Sequence, residues 1–176
     1  LSSAISALLE HADRTRSDLI LIPSHGRSGV SRLFMGSFAE SLLLESRLPT
    51  MVINPHQTIN GFKVKNILFA TDFSRSCAKV FLRVLPFAER AKSKITIFHK
   101  MILGTEPYAA SMAFAANMYV PPQPYFEDLK NNRKKEAGRL IELANAKQVR
   151  AAYRIGSQLA SVADAVGQAA LESQAD

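Results

Sequence analysis

The chain has 176 residues and a mass of 19.3 kDa, with 47% hydrophobic and 21% charged residues. This composition is ordinary for a folded globular protein and excludes an intrinsically disordered one. No apolar run approaches the roughly 18 residues that a membrane-spanning helix needs, which excludes an integral membrane protein. The single cysteine, Cys77, excludes a disulfide scaffold and a multi-cysteine zinc site.

The net charge of +7 comes entirely from the second part of the chain. Residues 1–61 carry five basic and five acidic groups, whereas residues 62–176 carry seventeen basic and ten acidic groups. The basic residues are scattered and are not interleaved with aromatic residues, which favours a solvated surface over a nucleic-acid interface. We therefore expect no nucleic-acid partner.

The start of the sequence, Leu1-Ser2-Ser3-Ala4, has neither a basic region nor a long apolar region of the kind found in signal peptides. The absence of an initiator Met indicates an excised or processed piece of a protein. Together with the single cysteine, these features predict a reducing, cytoplasmic setting.

Residues 1–53 predict two helices that alternate with two short strands. Their elements are a helix over 1–16 with one apolar stripe, a strand over 18–22, a glycine-punctuated loop over 24–36, a helix from Ser37, and a strand over 49–53. The helix start is predicted from the capping box that Ser37 forms with Glu40. The continuous apolar run Leu19–Ile22 is typical of a parallel strand buried on both faces.

After a polar turn over 54–62, the same alternation starts again. We predict strands over 66–70, 94–98 and 149–155, and helices over 74–92, 126–146 and 157–174. Residues 102–125 are irregular and apolar, and their stretch 109–122 predicts a lid, a partner surface, a mobile segment or a short helix packed on the sheet edge. Strands alternating with helices predict a doubly wound α/β fold with a parallel sheet.

Several segments carry a family resemblance. Asp18–Glu40, followed by Leu48–Ile53, resembles the closing third of a universal stress protein domain. Lys65–Ser74 resembles the opening strand and turn of such a domain, and Ile95–His99 resembles its second strand. A weak internal match at an offset of 158 residues, which aligns Leu1 with Leu159, agrees with a repeat.

The resemblance implies a tandem protein of this family. It implies a five-stranded parallel sheet of order 3-2-1-4-5 with helices on both faces. The predicted organisation is the C-terminal part of one domain over 1–56, a linker over 57–64, and the N-terminal part of a second domain over 65–176. Two arrangements stay open: two part-domains in tandem, or one permuted domain that contains all five strands.

Nucleotide-binding members of this family have a loop of the form Gly-x2-Gly-x9-Gly-Ser/Thr, in which backbone N–H groups bind phosphates. Here Gly26, Gly36 and Ser37 match the loop, while Pro23 replaces its first glycine. Arg27 supplies a nearby cation.

The family's Pro-Thr-Asp turn has a counterpart that ends in Asp72, which the resemblance assigns to the ribose or adenine side. Ala70 stands where that turn has proline, and Lys100 stands where the family has a small apolar residue beside the adenine.

The resemblance predicts a non-enzymatic stress-response module with a weakened site for an adenine nucleotide, ATP. The alternative is a protein-interaction or dimerisation module that has lost nucleotide binding. We also expect self-association, or a pseudo-dimer between tandem domains. An ATP hydrolase is disfavoured because the sequence contains no Walker lysine and no convincing pair of metal-binding carboxylates.

Structural roles compete with the functional ones. Gly26, Gly36 and Ser37 are also suited to shaping a strand-to-helix crossover. Asp72 is suited to capping a helix together with Ser74, and His25 and His99 are more typical of structural hydrogen bonding than of catalysis. Cys77 is interpreted as a small hydrophobic residue on an apolar helix stripe. The four histidines are not at metal-ligand spacing, so we expect no metal site.

Overall fold

A computed structural model describes residues 2–23, 37–53, 63–101, 123–156 and 161–176 of the chain. The chain divides into two compact units, Leu1–Phe62 and Lys63–Asp176. The predicted domain boundaries stay a prediction. Residues 102–122, which include the whole apolar stretch 109–122, lie outside the described residues, as does the turn over 54–62.

The first unit consists of two helices and two parallel strands. Its elements are α1 (Ser2–Arg14), β1 (Ile20–Pro23), α2 (Ser37–Glu45) and β2 (Thr50–Ile53). β1 pairs with β2 in a register that sets Ile20 opposite Thr50. The core lies between the helices and one sheet face, and its buried members are Ile5, Ala12, Ile20, Ile22, Ala39 and Leu42.

The other face of β1 differs from the sequence prediction. Ile20 and Ile22 are buried against the helices, whereas Leu21 is 57% exposed and its neighbour Leu19 is 43% exposed. Successive side chains of a strand point to opposite faces, and the α1–α2 cluster covers one of them. The prediction that this strand is buried on both faces is therefore wrong.

The second unit is a three-stranded parallel sheet with helices on both faces. Its elements are β3 (Asn66–Ala70), α3 (Arg75–Ala91), β4 (Lys94–Lys100), α4 (Gln123–Ala146), β5 (Ala151–Gly156) and α5 (Val162–Glu172). β4 lies between β3 and β5. The predicted order 3-2-1-4-5 is thus divided between two parallel sheets, with β5-β4-β3 supplying 3-2-1 and β1-β2 supplying 4-5, and the α/β fold class is confirmed.

Each face of this sheet has its own apolar cluster. On one face, α3 and α4 pack on the strands through a core whose buried members are Phe69, Phe81, Leu85, Ala88, Ile95, Ile97, Leu140, Ala144 and Val149. On the other face, Phe98 packs against Ala165 and Ala169 of α5. The small alanines allow α5 to approach the Phe98 ring closely, so large and small side chains are complementary across this layer.

The beginning of β3 is held by a carboxylate. One Asp176 carboxylate oxygen accepts hydrogen bonds from the backbone N–H of Lys65 at 2.6 Å and of Asn66 at 2.8 Å. These two N–H groups, that of Asn66 first, hold the pKa of Asp176 below its usual value. The Asp176 N–H in turn donates to the Asn66 carbonyl at 3.0 Å, so the chain beyond α5 is tied to the first strand of the unit.

Gly156 lies where β5 passes the Phe98 ring, and it leaves no room for a side chain. A Cβ at this position would lie 2.7 Å from Cζ and 3.1 Å from Cε2 of Phe98. Because Phe98 is only 4% exposed, its ring has little freedom to move aside. We expect Gly156→Ala to lower the free energy of unfolding by about 1–3 kcal/mol, measured by urea denaturation.

Gly138 provides the matched control. It lies within α4, and a Cβ there would meet nothing within 4 Å. Gly138→Ala is expected to stabilise the protein by about 0.5–1 kcal/mol, because alanine loses less backbone entropy in a helix. A Gly156→Ala variant as stable as the unsubstituted chain would contradict the packing described for Phe98.

Candidate functional site

A cleft of about 480 Å³ opens at the carboxyl ends of β3 and β4. Its wall combines strand ends with the sides of two helices, and its lining residues are Ala70, Thr71, Asp72, Phe98, His99, Lys100, Met101, Leu129, Arg133, Val162 and Val166. Ligands of open α/β sheets bind outside the carboxyl ends of strands. Both the volume and the mixture of an apolar wall with a few polar groups are typical of a small-molecule site.

The turn that follows β3 is anchored through Thr71. Its backbone N–H donates to the Phe98 carbonyl at 2.9 Å, and its own carbonyl accepts a 2.7 Å hydrogen bond from Nδ1 of His99. The Thr71 hydroxyl accepts from the Phe73 N–H at 2.9 Å. Phe73 has a φ of 61°, a strained conformation for a bulky residue, so the turn depends on these bonds.

Asp72 lies at the cleft, immediately before α3. Its Oδ1 accepts a 2.8 Å hydrogen bond from the Ser74 N–H. Hydrogen bonds from the Cys77 side chain and from Ser74 lower the pKa of Asp72 to about 2, so this carboxylate is ionised at any physiological pH. Its exposure leaves it accessible to solvent and to a ligand.

The helix cap and the cysteine refine the sequence interpretation. Ser74 is the N-cap of α3, because its hydroxyl accepts from the Cys77 N–H at 3.2 Å. Asp72 supports this cap through the Ser74 N–H and is not itself the capping residue. Cys77 is partly buried, but its side chain also hydrogen-bonds Asp72, which the hydrophobic interpretation did not anticipate.

Aromatic rings and one guanidinium form the side of the site nearest α4. The Phe73 and His99 rings lie 4.9 Å apart between centroids, and Cζ of Arg133 lies 5.9 Å from the Phe73 centroid. Burial lowers the pKa of His99, and Arg133 lowers it further, while the Thr71 carbonyl and Asp72 act in the opposite direction. The imidazole is therefore neutral at pH 7, with Nδ1 donating to Thr71.

Tyr153 lies next to this group of rings. Its ring centroid lies 6.1 Å from that of Phe73. Its hydroxyl is buried and has no hydrogen-bond partner in the described part of the chain. Burial raises the pKa of Tyr153, which keeps the phenol neutral.

The predicted site residues are only partly placed by the structure. Gly26, Arg27 and Gly36 lie outside the described residues, and Ser37 is the exposed first residue of α2. Asp72 lines the cleft of the second unit. Pro23, which replaces the loop's first glycine, is the last residue of β1 and lies opposite Ile53.

Sequence reasoning missed Arg133 and used Lys100 only as a departure from the family pattern. Both residues line the cleft. Arg133 belongs to the run Arg133-Lys134-Lys135, whose three members have the same charge, although of the three Arg133 alone lines the cleft. Helical phase relative to Leu129, four residues earlier, is the signal that could have selected it.

Within the described ranges, no group of three or more His, Cys, Asp or Glu side chains is arranged to hold a metal ion. None of the helices in the same ranges is long and apolar enough to cross a membrane.

Two solved structures with a similar fold come from different organisms. A universal stress protein family structure from Burkholderia pseudomallei matches with a TM-score of 0.53 and 17% identity, over 65% of this chain and 79% of the other. A universal stress protein from Archaeoglobus fulgidus matches with a TM-score of 0.64 and 15% identity. That match covers 97% of this chain and 51% of the other, so the present chain spans about half the length of the Archaeoglobus protein.

Sequence comparison relates the first unit to a known family. No curated protein sequence matches the chain. The sequence profile described as "Universal stress protein family" matches residues 2–54, which include the whole described part of the first unit. The first unit thus matches the universal stress protein family, and the fold of the chain is similar to that of two universal stress protein structures, which supports the family predicted from the motifs.

Proposed function

We propose that the chain is a non-enzymatic stress-response module that binds an adenine nucleotide weakly. The observation that carries this proposal is the cleft at the carboxyl ends of β3 and β4, where the ionised Asp72 meets an apolar wall. Met101 is buried at this wall, and Val162 and Val166 of α5 complete it. An apolar wall suits a purine ring, and a carboxylate accepts hydrogen bonds from ribose hydroxyls.

The proposed role of the remaining predicted residues is to bind phosphate. Gly26, Gly36 and Ser37 would present backbone N–H groups at the start of α2, with Arg27 as a nearby cation. The tandem organisation and the permuted alternative both stay proposals. In the tandem case, the glycine loop and Asp72 belong to different sites.

Asp72→Asn tests the ribose or adenine role of the carboxylate. We expect the affinity for ATP to fall roughly tenfold or more, because hydrogen bonds to a charged group contribute about 1.5–3 kcal/mol. Isothermal titration calorimetry with ATP and magnesium measures the change.

Asp176→Asn is the matched control, because Asp176 also accepts backbone N–H groups but lies at the opposite end of β3. This variant should lose some stability and keep its ATP affinity. Equal ATP affinity in the Asp72→Asn variant and the unsubstituted chain would contradict the assigned role of Asp72.

Pro23→Gly tests why the site is proposed to be weak. Proline has no N–H and a fixed φ, so it removes one donor from the predicted phosphate loop. Restoring glycine should tighten ATP binding by about one to two decades, the value of one hydrogen bond to a charged group. Pro49→Gly, beside β2 in the same sheet, is the control and should leave ATP affinity unchanged.

Self-association is the second candidate function, and the exposed apolar side chains of the first unit favour it. Leu21 of β1 and Leu44 of α2 are 57% and 82% exposed. Exposed leucines on a short strand and a neighbouring helix are typical of surfaces that pair with another protein.

Light scattering over a range of concentrations tests this candidate. A dimerising chain should show a mass that rises with concentration, and Leu21→Glu should reduce that rise because a carboxylate opposes apolar association. Leu171→Glu, on a leucine of α5 that is also 82% exposed, is the control. A mass of one chain at all concentrations would exclude self-association.

A further inference from the structure

Arg133 brings a positive charge to the cleft without a carboxylate to balance it. Of the acidic residues nearest to it along α4, Glu136 is paired with Arg139 at 2.8 Å, and the exposed Asp128 forms no ion pair with Arg133 within the described ranges. Within the described ranges, Arg133 itself forms no ion pair, and its recorded partner is the ring of Phe73.

The Phe73 ring holds this guanidinium in place. The Phe73 backbone N–H donates to the Thr71 hydroxyl, and the Phe73 ring packs beside the His99 ring, so the ring beneath Arg133 is supported by its neighbours. A guanidinium over an aromatic face is attracted by the ring and remains free to donate along its edge. Arg133 is partly buried, so its charge is only partly hydrated.

The other titratable groups of the cleft form no ion pair with Arg133 within the described ranges. His99 is neutral at pH 7 because its pKa is lowered. The ionised Asp72 carboxylate also lines the cleft, but within the described residues it forms no ion pair with Arg133. The cleft therefore has a guanidinium with no ion-pair partner among the described residues next to its apolar wall, which is an arrangement that an anionic ligand group would complement.

We propose that Arg133 binds a phosphate group of the ligand that occupies this cleft. The guanidinium presents paired donors that match two phosphate oxygens, which makes arginine well suited to this group. The ligand class is a phosphate-bearing small molecule that fits about 480 Å³. The inference rests on the proposed function for the nucleoside part of the ligand, and it places phosphate recognition within the second unit.

The test compares ATP, adenosine and inorganic tripolyphosphate by isothermal titration calorimetry. The variants are Arg133→Met, which keeps an apolar stem over Phe73, and Arg133→Lys, which keeps the charge. Lys134→Met is the control, because it removes the same charge from an exposed neighbouring position on α4. Thermal melts establish whether each variant is folded. If Arg133→Met does not fold, the titrations of Arg133→Lys test the proposal instead.

The unsubstituted chain should bind ATP at least tenfold more tightly than adenosine. Arg133→Met should remove most of this preference for ATP and leave adenosine binding unchanged. Arg133→Lys should keep part of the preference, and Lys134→Met should keep all of it. The proposal would be overturned in favour of the glycine loop if the Ser37→Ala variant lost the preference for ATP over adenosine while the Arg133→Met variant kept it. Equal affinities for ATP and adenosine in the unsubstituted chain would also overturn it.

The tripolyphosphate titration separates this inference from the proposed function. If adenosine does not bind but tripolyphosphate binds in a manner that depends on Arg133, adenine recognition fails and the phosphate site stands. If adenosine binds and no phosphate-bearing probe binds more tightly than it, the phosphate site fails and adenine recognition stands. If none of the three probes binds, both proposals fail.

Discussion

The attachment of the Thr71 backbone to β4 is the constraint on which the candidate site depends. Two hydrogen bonds join them, one from the Thr71 N–H to the Phe98 carbonyl and one from His99 to the Thr71 carbonyl. They extend the pairing of β3 with β4 by one residue past the end of β3, and the chain turns directly after this residue. Phe73 is thereby held in its left-handed conformation, and Ser74 reaches the position from which it caps α3.

The same constraint reconciles two roles of Asp72 that the sequence left open. A carboxylate has about four lone-pair directions, and Asp72 uses some of them for Ser74 and Cys77. Its exposed position leaves the others for water or a ligand. Support for the helix start and recognition of a ligand are thus compatible in one side chain, and the first keeps the carboxylate ionised for the second.

The strands and helices could be predicted because their signals are local. The apolar run of β3 gave its bounds as 66–70, and the helical stripe of α3 correctly placed Phe81, Leu85 and Ala88 in the core. The exposure of Leu21 could not be predicted, because an apolar run does not reveal whether a second layer covers the strand. Burial depends on what packs against an element, and that information is not in the element's own sequence.

The site could be predicted only where one short motif contains it. Asp72 follows its strand directly, so the turn motif identified it. Arg133 reaches the cleft from a helix some 60 positions later in the chain, and its selection over Lys134 depends on helix phase and on the Phe73 ring. The Cys77 contact was missed because the apolar stripe of α3 gives no sign that a side chain of its first turn also reaches Asp72.

Carboxylates that accept backbone N–H groups flank strand β3, Asp176 at its beginning and Asp72 in the turn that follows it. Both carboxyl groups have a pKa below the ordinary 3.8, about 2 for Asp72. Each therefore binds a proton more readily in the unfolded chain, so the stability that it contributes is present above about pH 4 and is lost in acid. For Asp72 the loss occurs as the pH falls toward 2. Acid would weaken both the attachment of the segment beyond α5 to the start of β3 and the turn that leads from β3 into α3, so that segment and the cleft would loosen together.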